Sequence, residues 1–386
     1  MWRLLFLAFI SAIVIGVLGF GAAFIGHQKR LLGQNEMIRN ASDFYKEGKY
    51  REAYDLIKSA DAVAANERVL ALKARILCKL SENPKDGLDA WTDLLEKHPE
   101  SDYTPEALLA QAEYQRVEMN EPDNAKKIYL QILEKYPNSE PADRALLSLS
   151  RIAIKENNIE QTRRNLEALI QRPMSDAREQ AEFLLGKMNM EALYSPDPDP
   201  MSSVYVIKQG DSLSKVSNLF HAPVDLISGI NRIENIRALR VGQRLKIPKL
   251  ENLAAVVDLE KRAISLYCNQ VFLQRYRIGI GLGKRVPIGN YTVQSKSIAK
   301  DDKKAAAAGT AIDPINQPGA KRINLNKNAV YIHQAYSPEL IGKQSDSSVI
   351  AVSQSDMDEL YSMLNKGIPV VIMASTQDKK VEEKKK

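Results

Sequence analysis

Four histidines and two cysteines are all the imidazole and thiol in this chain of 386 residues, so nucleophilic, acid–base or metal chemistry has few groups to draw on. Cys78 and Cys268 stand alone, without metal-ligand spacing or a nearby partner, and are expected to be buried or half-buried thiols. No metal and no cofactor is expected. The densest chemical pattern lies near the C-terminus, where His333 follows Tyr331-Ile332 and the hydroxyls of Ser347-Ser348 come shortly after. An imidazole beside a serine hydroxyl would be an acyl-transfer pair, but serine is a weak nucleophile unless its base is well placed. Val349, next in the chain, has no nucleophilic atom. A lone histidine at a strand end is more often a packing or hydrogen-bonding residue, and that is the plainer expectation for His333.

These residues must be positioned by a strand-rich region. Ala254–Leu259, Ala263–Cys268 and Val271–Ile280 have strand character, Asn269-Gln270 makes the short turn between two of them, and Pro369–Ile372 is a closing strand. Upstream, Tyr205–Pro248 follows a strand, helix, helix, strand pattern. Gly210 permits the tight turn after the first strand, and Asp211 or Ser212 can cap the next helix. From about Ile38 to Leu193 the pattern is one of successive amphipathic helices broken at Pro or Asn. Leu94-Leu95-Glu96-Lys97-His98-Pro99-Glu100-Ser101 recurs as Ile132-Leu133-Glu134-Lys135-Tyr136-Pro137-Asn138-Ser139, with a weaker copy at Ala168–Ser175. The copies are 38 and 36 residues apart (94 to 132, then 132 to 168), which suits a helix-turn-helix repeat whose second helix ends at Pro. Asn40–Ser59 reads as a further unit. Ser195-Pro196-Asp197-Pro198-Asp199-Pro200 predicts an extended spacer.

At the N-terminus, Leu4–Ile25 carries no charge and is long enough to span a bilayer as one helix. A cleaved signal peptide usually has a shorter apolar core, so an uncleaved anchor is expected, although Gly21 and Ala23 would serve as a small-residue cleavage pair. Arg3 on one side and Lys29 and Arg30 on the other leave its orientation undecided. The net charge of +6 owes much to Lys379-Lys380 and Lys384-Lys385-Lys386. There is no basic stripe interleaved with aromatics, so nucleic-acid binding is not expected. Asp301-Asp302-Lys303-Lys304 with Ala305–Ala308 predicts a polar surface loop, and Ser375–Lys386 a disordered tail.

The helical repeats resemble tetratricopeptide repeats of the longer kind found in bacterial envelope proteins. Tyr205-Val206-Ile207-Lys208-Gln209-Gly210-Asp211-Ser212-Leu213, then Leu226 and Asn231, then Leu239–Pro248 resemble a LysM domain along its full length. That resemblance implies binding of N-acetylglucosamine-containing glycan in a shallow groove, lined by Gly210, Asp211, Ser212 and Leu213 on one side and Asn235, Ile236, Arg237 and Ala238 on the other. The strands after Leu253, the Val286-Pro287-Ile288-Gly289 segment, His333, the stretch from Ser353 to Tyr361 and Gly367–Ile372 together resemble an L,D-transpeptidase domain. Such enzymes cross-link peptidoglycan through a cysteine thiolate with a histidine base. The resemblance places Ser347 at a motif histidine, Ser348 at the glycine, Val349 at the nucleophilic cysteine and Ala351 at the arginine, which implies a vestigial site at His333, Ser347, Ser348 and Val349.

The expected architecture is multidomain. It comprises a membrane helix or signal sequence (1–30), an all-α solenoid of tetratricopeptide-like repeats (36–193), a Pro-rich linker (194–202), a small βααβ LysM domain (203–249), a mostly-β L,D-transpeptidase-like domain (252–374) and a Lys-rich tail (375–386). The expected function is that of an inner-membrane-anchored envelope protein with its C-terminal domains in the periplasm or cell-wall space. It would bind peptidoglycan glycan, an unidentified protein through its repeats, and the cytoplasmic membrane through Leu4–Ile25, while the degenerate transpeptidase-like domain would serve without catalysis as a binding or scaffold module for stem peptide or a partner. The alternative is an active L,D-transpeptidase or carboxypeptidase with a non-standard nucleophile.

Overall fold

Prolines and capping residues set the helix boundaries of the N-terminal unit, Met1–Arg178. The computed structural model describes residues 30–172, 175–199, 201–281, 286–299, 319–327, 330–335, 344–345 and 350–374. Leu4–Ile25, Asp301–Ala308, Ser347-Ser348-Val349 and Ser375–Lys386 lie outside these. Among the described residues no helix is long and apolar enough to cross a membrane.

The unit runs through α1 (residues 30–46), α2 (Tyr50–Val63), α3 (Glu67–Leu80), α4 (Pro84–Lys97), α5 (Thr104–Val117), α6 (Pro122–Lys135), α7 (Glu140–Lys155) and α8 (Ile159–Ile170). From α2 onward each packs on the next. Pro occupies the first turn of α4 to α7, where its missing N–H has no intrahelical partner to lose. Asn66, Asn83, Ser139 and Asn158 cap α3, α4, α7 and α8 by accepting from backbone N–H groups. The repeated motif has a direct structural counterpart: α4 stops at Lys97 before Pro99, and α6 at Lys135 before Pro137. Small and aliphatic side chains fill the spaces between helices, with Trp91 and Tyr129 as the large buried rings.

The second unit, Glu179–Lys386, takes in almost all of α9 (Arg178–Tyr194). The last helix of the expected repeat segment thus packs with the C-terminal part of the chain. Helical periodicity identifies a helix but not its partner. Here Asn189 donates to the carbonyls of Phe272 and Leu273 at 3.2 and 2.9 Å, and the Glu182 carboxylate meets Arg275 at 2.5 Å. Met190 and Leu193 enter the same core as the strands that follow.

The Pro-rich segment is likewise not a free spacer. Lys246 Nζ donates to the carbonyls of Ala192, Ser195 and Asp197 at 2.6, 3.0 and 2.8 Å, while Asp199 lies 2.7 Å away as counter-charge. With its side chain 2% exposed, Lys246 straps the segment onto the strand that carries it.

That strand, β2 (Arg244–Pro248), pairs antiparallel with β1 (Ser202–Val206), and between them lie α10 (Leu213–Phe220) and α11 (Val224–Ile230). Asn231 ties α11 to β2: its amide donates to Ile227 O and Lys246 O and accepts from Lys246 N, each at 2.8 Å.

The remainder is mostly β. β3 (Ala254–Asp258), β4 (Ala263–Cys268), β5 (Val271–Arg277), β6 (Gly279–Gly281), β7 (Gly289–Ile298), β8 (Lys321–Leu325), β9 (Tyr331–Gln334), β10 (Gln344–Ser345), β11 (Ile350–Val352) and β12 (Pro369–Met373) are joined in the order β10-β6-β11-β9-β8-β7-β12-β3-β4-β5. β7 is long enough to pair with β12 along its first half and β8 along its second, which links the two halves of the sheet. α12 (Gln354–Met363), capped by Ser353, buries Met357, Leu360 and Met363 in the core. Leu226 and Ile230 of α11 join that core, so the βααβ domain and the sheet are packed together.

Candidate functional site

His333 sits in β9, between β8 and β11. The register sets Arg322 of β8 and Ala351 of β11 on either side of it. Cross-strand partners face the same side of a sheet, so these three residues form one row. The opposite face carries Ile323, Ile332 and Ile350, all fully buried. His333 is 3% exposed, and its Nδ1 lies 2.7 Å from Gln334 O. A carbonyl can only accept, so Nδ1 carries the hydrogen, and the neutral ring has its lone pair on Nε2. Two residues earlier on the same face, the Tyr331 ring lies 6.0 Å from the imidazole, and the Arg322 guanidinium stacks 3.4 Å above the Tyr331 ring. Ser347, Ser348 and Val349 lie outside the described residues, and β11 begins with the residue after them.

Neither cysteine belongs to this row. Cys268 is on β4, the fifth strand from β9 in sheet order. It is buried, its Sγ lies 3.4 and 3.2 Å from Lys249 O and Glu251 O, and burial pushes its thiol up, away from the reactive thiolate. Cys78 is on α3 in the N-terminal unit, exposed at a cavity of that unit.

In the βααβ domain the eight expected groove residues divide by environment. Gly210 adopts φ +81°, the left-handed conformation that the turn requires. Asp211 accepts from Tyr205 Oη and Lys208 N, both at 2.8 Å. These bonds, the backbone one first, hold its carboxyl below the usual range. Ser212 caps α10 by accepting from Lys215 N at 3.2 Å. Leu213 is only 2% exposed, and its side chain packs in the domain core. On the other loop Asn235 folds the turn by accepting from Arg237 N through its side chain and from Ala238 N through its carbonyl, each at 3.0 Å. Asn235, Arg237 and Ala238 are exposed, and Ile236 is 50% exposed. The side chains of Asp211, Ser212 and Asn235 therefore shape the loops, while Gly210, Ile236, Arg237 and Ala238 present open surface.

The N-terminal unit contains a cavity of about 540 Å³, whose lining includes Arg75, Trp91, Glu106, Glu113, Tyr114 and Arg144. Arg75 grips Glu106 through two hydrogen bonds of 2.8 and 2.5 Å. Burial alone would push the Glu113 carboxyl up, but hydrogen bonds from Ser148, Arg116 and Tyr129 outweigh it and hold the group below its usual range.

Comparison with known proteins follows the same division. The family model of the tetratricopeptide repeat matches residues 106–139, that of the LysM domain 205–248, and that of the L,D-transpeptidase catalytic domain 253–372. The chain carries these three in that order. Solved structures similar to it include an L,D-transpeptidase from Mycobacterium smegmatis (20% identity, 35% of this chain and 65% of that one, TM-score 0.27). Others are L,D-transpeptidase 3 from Mycobacterium tuberculosis (14%, 35% and 76%, 0.26) and an L,D-transpeptidase from Enterococcus faecium (24%, 35% and 54%, 0.25). The chain thus spans just under two thirds of the M. smegmatis protein and about half of the E. faecium one. No curated protein matches the chain.

Arg322 and Tyr331 were not among the expected site residues. The alternation Arg322-Ile323-Asn324-Leu325 is a strand signal, and following it would have placed Arg322 on a face opposite Ile323.

Proposed function

We propose that this chain is an envelope protein, anchored in the cytoplasmic membrane by Leu4–Ile25, that binds peptidoglycan through its LysM domain and uses the transpeptidase-like domain as a binding module without bond making. The observation that carries this is the want of a thiol: Val349 stands at the cysteine of the resembled motif, Cys268 is buried five strands from His333, and Cys78 belongs to the other unit. The domain pair supports the cell wall as target, with glycan meeting the open surface of Gly210, Ile236, Arg237 and Ala238. The shared core of α11 and the sheet supports joint action of the two domains. The cavity of the repeats, lined by aromatic rings and charges of both signs, is the surface we assign to a protein partner.

A sedimentation assay with purified sacculi tests the glycan assignment. The full-length protein is expected to co-sediment, and Ile236→Asp to weaken this by about tenfold, as loss of an apolar sugar contact and its replacement by an unpaired charge would. Equal co-sedimentation of the two would remove the groove assignment.

One observation favours a second reading. The tautomer fixed by Gln334 O leaves the lone pair of His333 on Nε2, the form a general base needs, and Ser347-Ser348 precede β11 in the chain. An acyl transferase with a serine nucleophile is therefore the alternative, and product analysis separates the two.

A further inference from the structure

Arg322 is a half-buried arginine whose charge is not matched by a carboxylate among the described residues. Its Nε is buried and has no hydrogen-bond partner among the described residues. A buried N–H left without an acceptor is destabilising, so the group is more at ease with an acceptor supplied from outside. Arg275 makes the contrast: among the described residues its Nε is also without an acceptor, but its charge is answered by Glu182 at 2.5 Å.

The Arg322 guanidinium is also held in place. Stacking over Tyr331 at 3.4 Å fixes its plane, and the pairing of β8 with β9 fixes its base beside His333. A planar fork of N–H donors in a set orientation suits the two oxygens of a carboxylate better than any neutral acceptor. The same face offers polar neighbours, since Asn324 donates to Ser295 Oγ at 3.2 Å, and Ala351 adds little bulk at the His333 register.

We propose that Arg322, stacked on Tyr331, is the receptor for a peptide carboxylate on the face of the sheet that bears His333. This rests on the reading that the transpeptidase-like domain binds stem peptide, and it names the group of the peptide that is read.

Calorimetric titration of the full-length protein tests it, using a stem tetrapeptide and versions amidated at each carboxylate in turn. Amidation at one position is expected to weaken binding to the natural protein by about tenfold, the usual worth of a charge-assisted hydrogen-bonded contact. In Arg322→Gln the peptide should bind about tenfold more weakly and that amidation should make no further difference; Arg322→Lys should keep part of the preference. A cooperative melt and an unchanged circular dichroism spectrum in Arg322→Gln show that the fold is retained. If the natural protein binds acid and amides alike, or Arg322→Gln keeps the discrimination, the carboxylate assignment is overturned while the stem-peptide reading stands. If the natural protein binds none of the peptides, both are overturned.

Discussion

Single residues here act against the properties that their types suggest. Glu359, on α12, lies in a partly buried site. Burial raises its carboxyl, the Asp356 charge adds to the rise, and the hydrogen bond from Tyr276 Oη at 2.9 Å only partly offsets it. A carboxyl raised in the folded state binds its proton more tightly there than in the unfolded chain. Its contribution to stability therefore falls as pH climbs from the ordinary glutamate range through the raised value. Glu359→Gln keeps an acceptor for Tyr276 and removes the titration. The variant should show a flatter stability profile across that window and greater stability at neutral pH, measured by denaturant unfolding at a series of pH values. An unchanged slope would mean that Glu359 does not titrate in the folded protein as described. What the sequence revealed at this scale was local. Gly210 and Ser212 declared a turn and a cap because those demands are set by their own backbone. The row of Arg322, His333 and Ala351 was not visible, because strand register is decided by tertiary pairing, and a slip of one residue would turn each side chain to the other face.

Among the elements, the strap over Pro196 to Asp199 was hidden for a different reason. A lysine is ordinarily exposed, so nothing in Arg244-Leu245-Lys246-Ile247 announces that Lys246 is buried with three carbonyls and a carboxylate around it. Replacing it with Met would leave Asp199 and three carbonyls without their donor. The cost should be on the order of 3 kcal/mol in the unfolding free energy of the C-terminal unit. Limited proteolysis within residues 195–199 should become faster in Lys246→Met. If the cleavage rate and the unfolding midpoint are both unchanged, the segment is held by other contacts. The helical repeats, by contrast, were legible as elements, since Pro99 and Pro137 follow the ends of α4 and α6 at matching places in the repeated motif. The partner of α9 was not, because its buried side mixes Leu185 and Met190 with Glu182 and Asn189, a pattern that names neither a repeat nor a sheet.

For the whole molecule, Glu113 in one unit and the pair Glu359 and Asp356 in the other should respond to acid with opposite signs. Glu113 in the repeats has its carboxyl held down by Ser148, Arg116 and Tyr129 against the effect of burial. The stability it contributes is present above the ordinary glutamate range and is lost as pH falls through the depressed value. The C-terminal unit carries the raised Glu359 and Asp356, and their contributions run the other way. Glu113→Gln should therefore make the repeats less stable at neutral pH and remove part of their loss in acid, as followed by helical circular dichroism through unfolding. A variant with the natural acid profile would contradict this. The larger claim is that a transpeptidase-like domain has become a reader of the cell wall, held in one unit with a LysM domain. It is tested most directly by incubating the full-length protein with disaccharide-tetrapeptides and following the products by mass spectrometry. The account predicts that their masses remain unchanged, with no cross-linked dimer and no released D-alanine; either product would contradict it.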